Sequence, residues 1–121
     1  MKRVLVVEDS NLARLYYRTA LEGAGYRVEE ALNGLEALEK MMTAPFDLLI
    51  VDINMPQMDG LTFLQSVRRL ELPVAATPVL MISSEAGPQD VAAAHAAGAN
   101  LYLVKPVSTD ALLDYSAMLC G

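Results

Sequence analysis

Cysteine is nearly absent from this sequence: Cys120, beside the C-terminus, is the only one in 121 residues. A disulfide needs two cysteines and a zinc framework usually needs several, so neither can stabilise the fold. The hydrophobic core must do so instead, and 54% hydrophobic residues are enough to build one. The length is typical of one domain, and we expect a single domain over residues 1–121.

Positive charge is also scarce. Lysine and arginine number 9 against 15 acidic residues, which gives a formal net charge of −6. The basic doublets Lys2-Arg3 and Arg68-Arg69 lie far apart in the chain. Nucleic-acid interfaces are built on basic patches, so this balance argues against direct binding of DNA or RNA.

Long apolar runs are missing as well. The first run, residues 4–7, stops at Glu8-Asp9 and is too short for a signal peptide. No run approaches the roughly 20 residues that a membrane span needs. We therefore expect a soluble, cytoplasmic protein without membrane contact.

What the sequence does contain is a regular alternation of short apolar runs and amphipathic segments. Four runs are apolar without a break, as is typical of parallel strands covered on both faces. They are residues 4–7, 48–51, 79–82 and 101–104. Residues 26–30 instead alternate apolar and charged side chains, which predicts a half-exposed edge strand.

The segments between these strands have the apolar spacing of helices. Start signals precede four of them: Asn33 with Glu36, Asp59, Gly87-Pro88, and Ser108 or Thr109. We predict inward faces formed by Leu12, Leu15, Tyr16 and Thr19; by Leu35, Leu38, Met41 and Met42; by Leu61, Leu64 and Val67; and by Leu112, Leu113 and Leu119.

Five strand-helix units in succession predict an α/β fold with a doubly wound, five-stranded parallel sheet. The polar second strand belongs at an edge beside the first strand. Because crossovers are right-handed and chains do not cross, the third strand must lie on the other side of the first. The expected order is the flavodoxin-like 2-1-3-4-5. Its reversal opens a crevice beyond the carboxyl ends of the first and third strands.

Acidic residues stand at this crevice. The first strand ends in Glu8-Asp9 and the third in Asp52. Two such charges 4 Å apart repel by roughly 4 kcal/mol at an effective dielectric constant near 20, so the cluster requires a proton or a bound cation. A hard, oxygen-seeking cation, Mg²⁺ or Mn²⁺, suits these ligands. The alternative is that the acids only begin helices, where negative charge is favourable.

The other two strand ends add a hydroxyl and an ammonium group. Ser83-Ser84 follows the fourth run and Lys105-Pro106 the fifth. Together with a cation among the acids, these groups form a site for a dianionic tetrahedral group. A resting salt bridge between Lys105 and Asp52 is compatible with this interpretation.

Four segments carry a family resemblance: VLVVEDS at 4–10, LLIVDINMPQMDG at 48–60, PVLMISSEAG at 78–87 and GANLYLVKPV at 98–107. In this order they resemble the receiver domain of bacterial two-component response regulators, in its CheY-like single-domain form. The resemblance covers essentially the whole chain. It implies that Asp52 is the phosphoacceptor and that Mg²⁺ is held by Asp9, by Asp52, by the backbone carbonyl of Asn54 and, through water, by Glu8.

The resemblance also implies a switch. Ser83 matches the switch hydroxyl, Tyr102 the aromatic switch position, and Lys105 the lysine that contacts the phosphoryl group, with a cis bond to Pro106. Asn54 and Glu85 would flank the water that hydrolyses the acyl phosphate; the alternative for Glu85 is an exposed acid at a helix start.

The implied function is a phosphoryl-accepting switch with Mg²⁺-dependent self-phosphorylation and self-dephosphorylation rather than a turnover enzyme. The donor would be a sensor histidine kinase or a histidine phosphotransfer domain. The responding surface would comprise the fourth helix, the fifth strand and the fifth helix, in a monomer or weak dimer whose target the sequence does not reveal. The fourth helix carries Ala92, Ala93, Ala94, Ala96 and Ala97, a docking surface or simply a good helix former.

Two alternatives lie within the family. The chain could be a phosphorelay intermediate, or a receiver cut from a longer regulator with an output domain.

Two alternatives from other classes are argued against by the residues. An aspartyl-phosphate phosphohydrolase would need a second aspartate two residues after Asp52, where Asn54 stands. A flavin binder would need a Ser/Thr-rich phosphate loop after the first strand, where Glu8-Asp9 would repel the phosphate.

Overall fold

The computed structural model describes residues 1–121 and alternates five strands with five α-helices, as predicted. The strands are β1 Arg3–Val7, β2 Arg27–Ala31, β3 Leu48–Asp52, β4 Val79–Ser83 and β5 Leu101–Val104. The helices are α1 Asn11–Gly23, α2 Gly34–Thr43, α3 Gly60–Arg68, α4 Pro88–Ala97 and α5 Thr109–Cys120, and a 3₁₀ turn spans Val74–Ala76. None of the helices is both long enough and apolar enough to cross a bilayer.

All neighbouring strands are parallel, and their order is β2-β1-β3-β4-β5, which confirms the predicted topology. Val7 of β1 is opposite Val51 of β3, and Asp52 is opposite Ile82 of β4. Ser83 is opposite Val104. The carboxyl ends of four neighbouring strands, β1, β3, β4 and β5, therefore lie at one edge of the sheet, where the candidate site lies.

The two faces of the sheet are covered by different helices. One face packs against α2, α3 and α4, with Phe63, Leu64 and Val67 of α3 fully buried. The other face packs against α1 and α5, through Tyr17, Leu21 and Leu112. The strand β5 is an exception to its sequence pattern: its run is unbroken, yet its residues are only partly buried or exposed, because it lies at the edge of the sheet.

Helix starts are fixed by side-chain caps. The Asn33 side chain accepts a hydrogen bond from the Glu36 N–H at 2.9 Å, and Asp59 accepts one from Thr62 at 2.8 Å. Ser108, rather than Thr109, caps α5 by accepting from Ala111 at 3.1 Å. Each cap stabilises its helix by about 1 kcal/mol. Gly87-Pro88 begins α4 as predicted, whereas the Glu36 carboxylate accepts from Leu32 N–H rather than completing a capping box at Asn33.

The predicted inward face of α1 is wrong. Leu12 is 80% exposed, and Leu15, Tyr16 and Thr19 are also exposed. The buried residues of this helix are Arg14, Tyr17 and Leu21. Their spacing is equally helical. Arg14 can face inward because its guanidinium donates to the Glu8 carbonyl, a buried acceptor.

Smaller corrections apply to other helices. In α2, Leu35 and Met42 are exposed, and Ala37 and Met41 face the sheet, because a small residue allows the helix to approach the strands closely. The alanines of α4 do not form one flat surface: Ala94 and Ala97 are core residues, and only Ala92, Ala93 and Ala96 are exposed. Of the remaining predicted positions, Leu64, Val67 and Leu112 are buried, and Leu38, Leu61, Leu113 and Leu119 are partly buried.

Candidate functional site

Three carboxylates converge at the carboxyl edge of the sheet. Glu8 and Asp9 follow β1, and Asp52 is the last residue of β3. One oxygen from each lies within 4.8 Å of the others. Glu8 and Asp52 are only 3% and 5% exposed, and Asp9 is open to solvent. The structure thus brings together the acids that the sequence placed at the ends of neighbouring strands.

The buried acids have an unfavourable environment for two negative charges. Burial, followed by the negative charge of Asp52, raises the pKa of Glu8 to about 7, and the nearby Lys105 opposes this rise. Glu8 Oε2 and Asp52 Oδ1 are buried without a hydrogen-bond partner. A buried polar atom without a partner is costly, so the cluster is completed by a proton or a cation. Its all-oxygen donors and open Asp9 side fit Mg²⁺.

Lys105 provides the opposing charge. Its Nζ lies 3.2 Å from Asp52 Oδ1, without hydrogen-bond geometry, and 3.9 Å from Glu8 Oε1. The Lys105 N–H donates to the Ser83 carbonyl at 2.8 Å, which joins the ends of β5 and β4. The Lys105–Pro106 peptide bond is cis, as the resemblance implied. The ammonium group therefore forms an ion pair with the Asp52 carboxylate without a hydrogen bond to it.

Ser83 and Tyr102 both contact the backbone of Glu85. The fully buried Ser83 hydroxyl accepts a hydrogen bond from the Glu85 N–H at 3.0 Å. The Tyr102 hydroxyl donates to the Glu85 carbonyl at 2.7 Å. The segment between β4 and α4 is thus attached on one side to the site and on the other to β5. The Glu85 side chain itself is exposed.

The loop that carries Asn54 folds back on the end of β3. The Gly60 N–H donates to the Ile53 carbonyl at 2.8 Å. A Cβ atom on Gly60 would lie 2.5 Å from the Asp52 carbonyl oxygen, so no other residue fits without moving the backbone of Asp52. Farther along this loop, Gln57 has a positive φ of 68° and accepts a hydrogen bond from the Asn33 side chain at 3.2 Å.

Two buried residues of α1 near the site were not predicted. Arg14 Nη1 donates to the Glu8 carbonyl at 2.7 Å. Burial, with smaller contributions from Glu8 and Asp52, raises the pKa of Tyr17 to about 12. The available signal was the helical spacing of 14, 17 and 21, although that spacing places an arginine on the inward face.

The exposed side of α1 forms a groove with the segment after β5. Leu12 and Tyr16 line one wall, and Lys105, Pro106 and Val107 line the other. The Tyr16 hydroxyl donates to the Val107 carbonyl at 2.8 Å, so the two walls are joined. This groove begins at the lysine that contacts Asp52 and continues as an apolar surface.

The chain is similar to known proteins along its whole length. The model of the response regulator receiver domain matches residues 4–117. The KDP operon transcriptional regulatory protein KdpE of Escherichia coli K12 is 41% identical over 106 residues, which are 88% of this chain and 45% of KdpE. A gliding motility regulatory protein of Myxococcus xanthus is 39% identical over 103 residues, 85% of this chain and 13% of that protein. The chain thus spans less than half the length of these two relatives.

A solved structure gives the same result for the fold. The chemotaxis protein CheY4 of Vibrio cholerae superposes with a TM-score of 0.92 and 39% sequence identity. The superposition covers 98% of each chain.

Proposed function

Because this chain belongs to the response regulator receiver domain family of two-component signalling, we propose that Asp52 accepts a phosphoryl group and thereby changes a protein-binding surface. The observation that carries this proposal is the environment of Asp52. Its carboxylate is buried, has an oxygen without a hydrogen bond, and lies between two other acids and the Lys105 ammonium. A structural salt bridge to Lys105 would not need the two extra acids.

The proposed reaction is an in-line phosphoryl transfer. An Asp52 oxygen attacks the phosphorus of a phosphohistidine, the new O–P bond forms as the P–N bond breaks, and the imidazole leaves. Lys105, now 3.2 Å from Asp52 Oδ1, turns its ammonium group toward the phosphoryl oxygens and balances their charge. Hydrolysis of the acyl phosphate then resets the domain, and Asn54 and Glu85 tune its lifetime by flanking the approach of water.

The cation implied for this site is Mg²⁺, or Mn²⁺ in its place. Asp9, Asp52, the backbone carbonyl of Asn54 and, through water, Glu8 would hold it. The support for this site is that Glu8 Oε2 and Asp52 Oδ1 are buried without a hydrogen bond. When bound, Mg²⁺ neutralises the charge of the phosphoryl oxygens during transfer.

The switch passes through Ser83, Glu85 and Tyr102. In the unmodified protein the Ser83 oxygen accepts a bond from the Glu85 N–H, so its own hydrogen remains available for a phosphoryl oxygen. A charge-assisted hydrogen bond of this kind contributes about 1.5–3 kcal/mol, less than the roughly 5.5 kcal/mol that converts a 1:99 equilibrium to 99:1. The remaining free energy must come from other contacts or from the partner. Tyr102 moves together with Ser83, because the Tyr102 hydroxyl donates to the carbonyl of the same residue, Glu85.

The partners follow from this chemistry. The donor is a sensor histidine kinase or a histidine phosphotransfer domain, whose phosphohistidine is formed with ATP in the cytoplasm. The target is a protein that contacts α4, β5 and α5, where the edge strand β5 is incompletely covered. A phosphorelay step, with transfer onward to another histidine, uses the same acceptor.

Incubation with acetyl phosphate and Mg²⁺, followed by intact-mass measurement, tests the assignment of Asp52. We expect one added phosphoryl mass on the wild type, none on Asp52→Asn, and none on either protein in the presence of a chelator. Equal labelling of the wild type and Asp52→Asn would overturn the proposal.

A further inference from the structure

We propose that Arg14 is a positioning residue for the cation-binding acids. This inference rests on the proposed function, because it concerns how Glu8 and Asp9 are held in the geometry that a divalent cation requires. Arg14 is buried on the inward face of α1, and it touches neither the acceptor Asp52 nor Lys105 through a hydrogen bond or ion pair.

The first contact is with the backbone of the acid pair. Arg14 Nη1 donates to the Glu8 carbonyl at 2.7 Å in a buried position. The Glu8 N–H still follows the sheet, because it donates to the carbonyl of Ala31, the last residue of β2. Beyond that point β2 has ended, and Arg14 supplies the donor for the Glu8 carbonyl. This carbonyl belongs to the peptide that joins Glu8 to Asp9, so the hydrogen bond from Arg14 fixes the peptide plane from which both acidic side chains extend.

The remaining donors anchor the guanidinium to two other segments. Arg14 Nε donates to Glu30 Oε1 at 3.0 Å, and Nη2 donates to the side chain of Asn11, the first residue of α1. The guanidinium is a rigid, planar fork. It therefore links the end of β1, the end of β2 and the start of α1 in a fixed arrangement around the acid pair.

Arg14 forms its ion pair with Glu30 and not with a carboxylate of the site, which points to a geometric role. The Glu30 carboxylate accepts from Arg14 through one oxygen and from Arg18 through the other. An aliphatic side chain would satisfy the packing of this face but would leave the Glu8 carbonyl without its buried donor. Loss of a group that orients a metal ligand commonly weakens metal binding by about 10–100-fold.

The test compares Arg14→Met with Arg18→Met. Both substitutions remove one hydrogen bond to Glu30 from the same helix, but only the first removes the donor to the Glu8 carbonyl. We expect calorimetry to show Mg²⁺ binding at least about tenfold weaker in Arg14→Met and unchanged in Arg18→Met. With acetyl phosphate, the Mg²⁺ concentration for half-maximal phosphorylation should rise in Arg14→Met, and saturating Mg²⁺ should restore the maximal rate.

Several outcomes would overturn the inference. They are equal Mg²⁺ affinity in Arg14→Met and the wild type, equal weakening in both variants, and a lower maximal rate at unchanged half-saturation, which would indicate general structural damage. If Arg14→Met does not fold, Arg14→Lys keeps the charge without the fork, and the same shift in half-saturation is expected. A wild type that binds no Mg²⁺ would overturn the proposed function as well. Equal Mg²⁺ binding by the wild type and Arg14→Met would overturn only the role of Arg14.

Discussion

Among single residues, Glu8 has the clearest pH dependence, because its pKa is raised from 4.5 to about 7 in the folded protein. Between these values the folded state binds a proton that the unfolded state has lost. Without a divalent cation, the contribution of Glu8 to the free energy of unfolding should therefore be highest below about pH 4.5. This contribution should be lost as the pH rises through about 7. Urea unfolding in chelator between pH 5 and pH 8 measures this change.

Glu8→Gln is the control for this prediction, because it keeps the shape of the side chain and cannot ionise. The free energy of unfolding of the wild type minus that of Glu8→Gln should decrease from pH 5 to pH 8. Saturating Mg²⁺ should remove this trend, because the cation takes the place of the proton. Parallel pH profiles of the two proteins in chelator would contradict the raised pKa.

The sequence located the site acids because their position depends only on strand ends and topology. Glu8, Asp9 and Asp52 end two strands that must be neighbours, so their convergence follows without any side-chain coordinates. The contact of Arg14 with the Glu8 carbonyl could not be predicted in this way. It depends on the depth at which α1 packs and on the point where β2 ends, and neither is set by the residue types alone.

Among the elements, α1 has an exposed apolar side next to Asp52, the proposed phosphoacceptor. The proposed histidine donor would approach Asp52 from the open edge of the sheet, and the groove of Leu12, Tyr16 and Val107 begins there at Lys105. Leu12→Ser should therefore slow transfer from a phosphorylated histidine protein by roughly tenfold at limiting concentration, because burial of a leucine at an interface contributes about 1.5 kcal/mol or more. The rate with acetyl phosphate should not change, since a small donor does not need this surface.

Met118→Ser is a matched control for the α1 surface. Met118 is 70% exposed on α5, similar to the 80% of Leu12, so neither change should affect stability greatly. Transfer kinetics from the phosphorylated histidine protein should separate the two variants. Equal slowing in both, or slowing of Leu12→Ser with acetyl phosphate, would argue against a docking role for α1.

Strands were easier to predict than helix faces. An unbroken apolar run predicts a strand that is covered on both faces, whichever face is considered. All five predicted strands, including the alternating β2, lie within one residue of their observed bounds. A helix with leucines around much of its circumference does not reveal which side faces the sheet. In α1 and α2 the answer depended on Arg14 and Ala37, whose partners or small size allow a close approach. Similarly, the apolar run of β5 does not by itself distinguish a central strand from a partly exposed edge strand.

For the molecule as a whole, we expect the acid cluster to link folding to cation binding. Asp52 contributes negative charge to a buried site that already contains Glu8, and one of its oxygens has no hydrogen-bond partner. Asp52→Asn should therefore stabilise the metal-free protein, by about 1 kcal/mol, because it relieves repulsion that natural proteins tolerate at functional sites. It should also reduce the stabilisation by Mg²⁺, which for the wild type is about 2.7 kcal/mol at a free concentration of 100 times Kd.

Asp59→Asn supplies the comparison, because Asp59 caps α3 away from the acid cluster and asparagine caps a helix equally well. Urea unfolding at pH 8, in chelator and in saturating Mg²⁺, should give Asp59→Asn the same Mg²⁺ response as the wild type. A metal-free Asp52→Asn that is less stable than the wild type, or that gains as much from Mg²⁺, would mean that Asp52 is a structural partner of Lys105. If instead its metal-free stability rises and its Mg²⁺ response is lost, the fold without cation is kept below its attainable stability by the residues that bind the cation. Cation binding and phosphoryl transfer would then act on the same cluster of acids, since both add partners to buried oxygens that have no hydrogen bond.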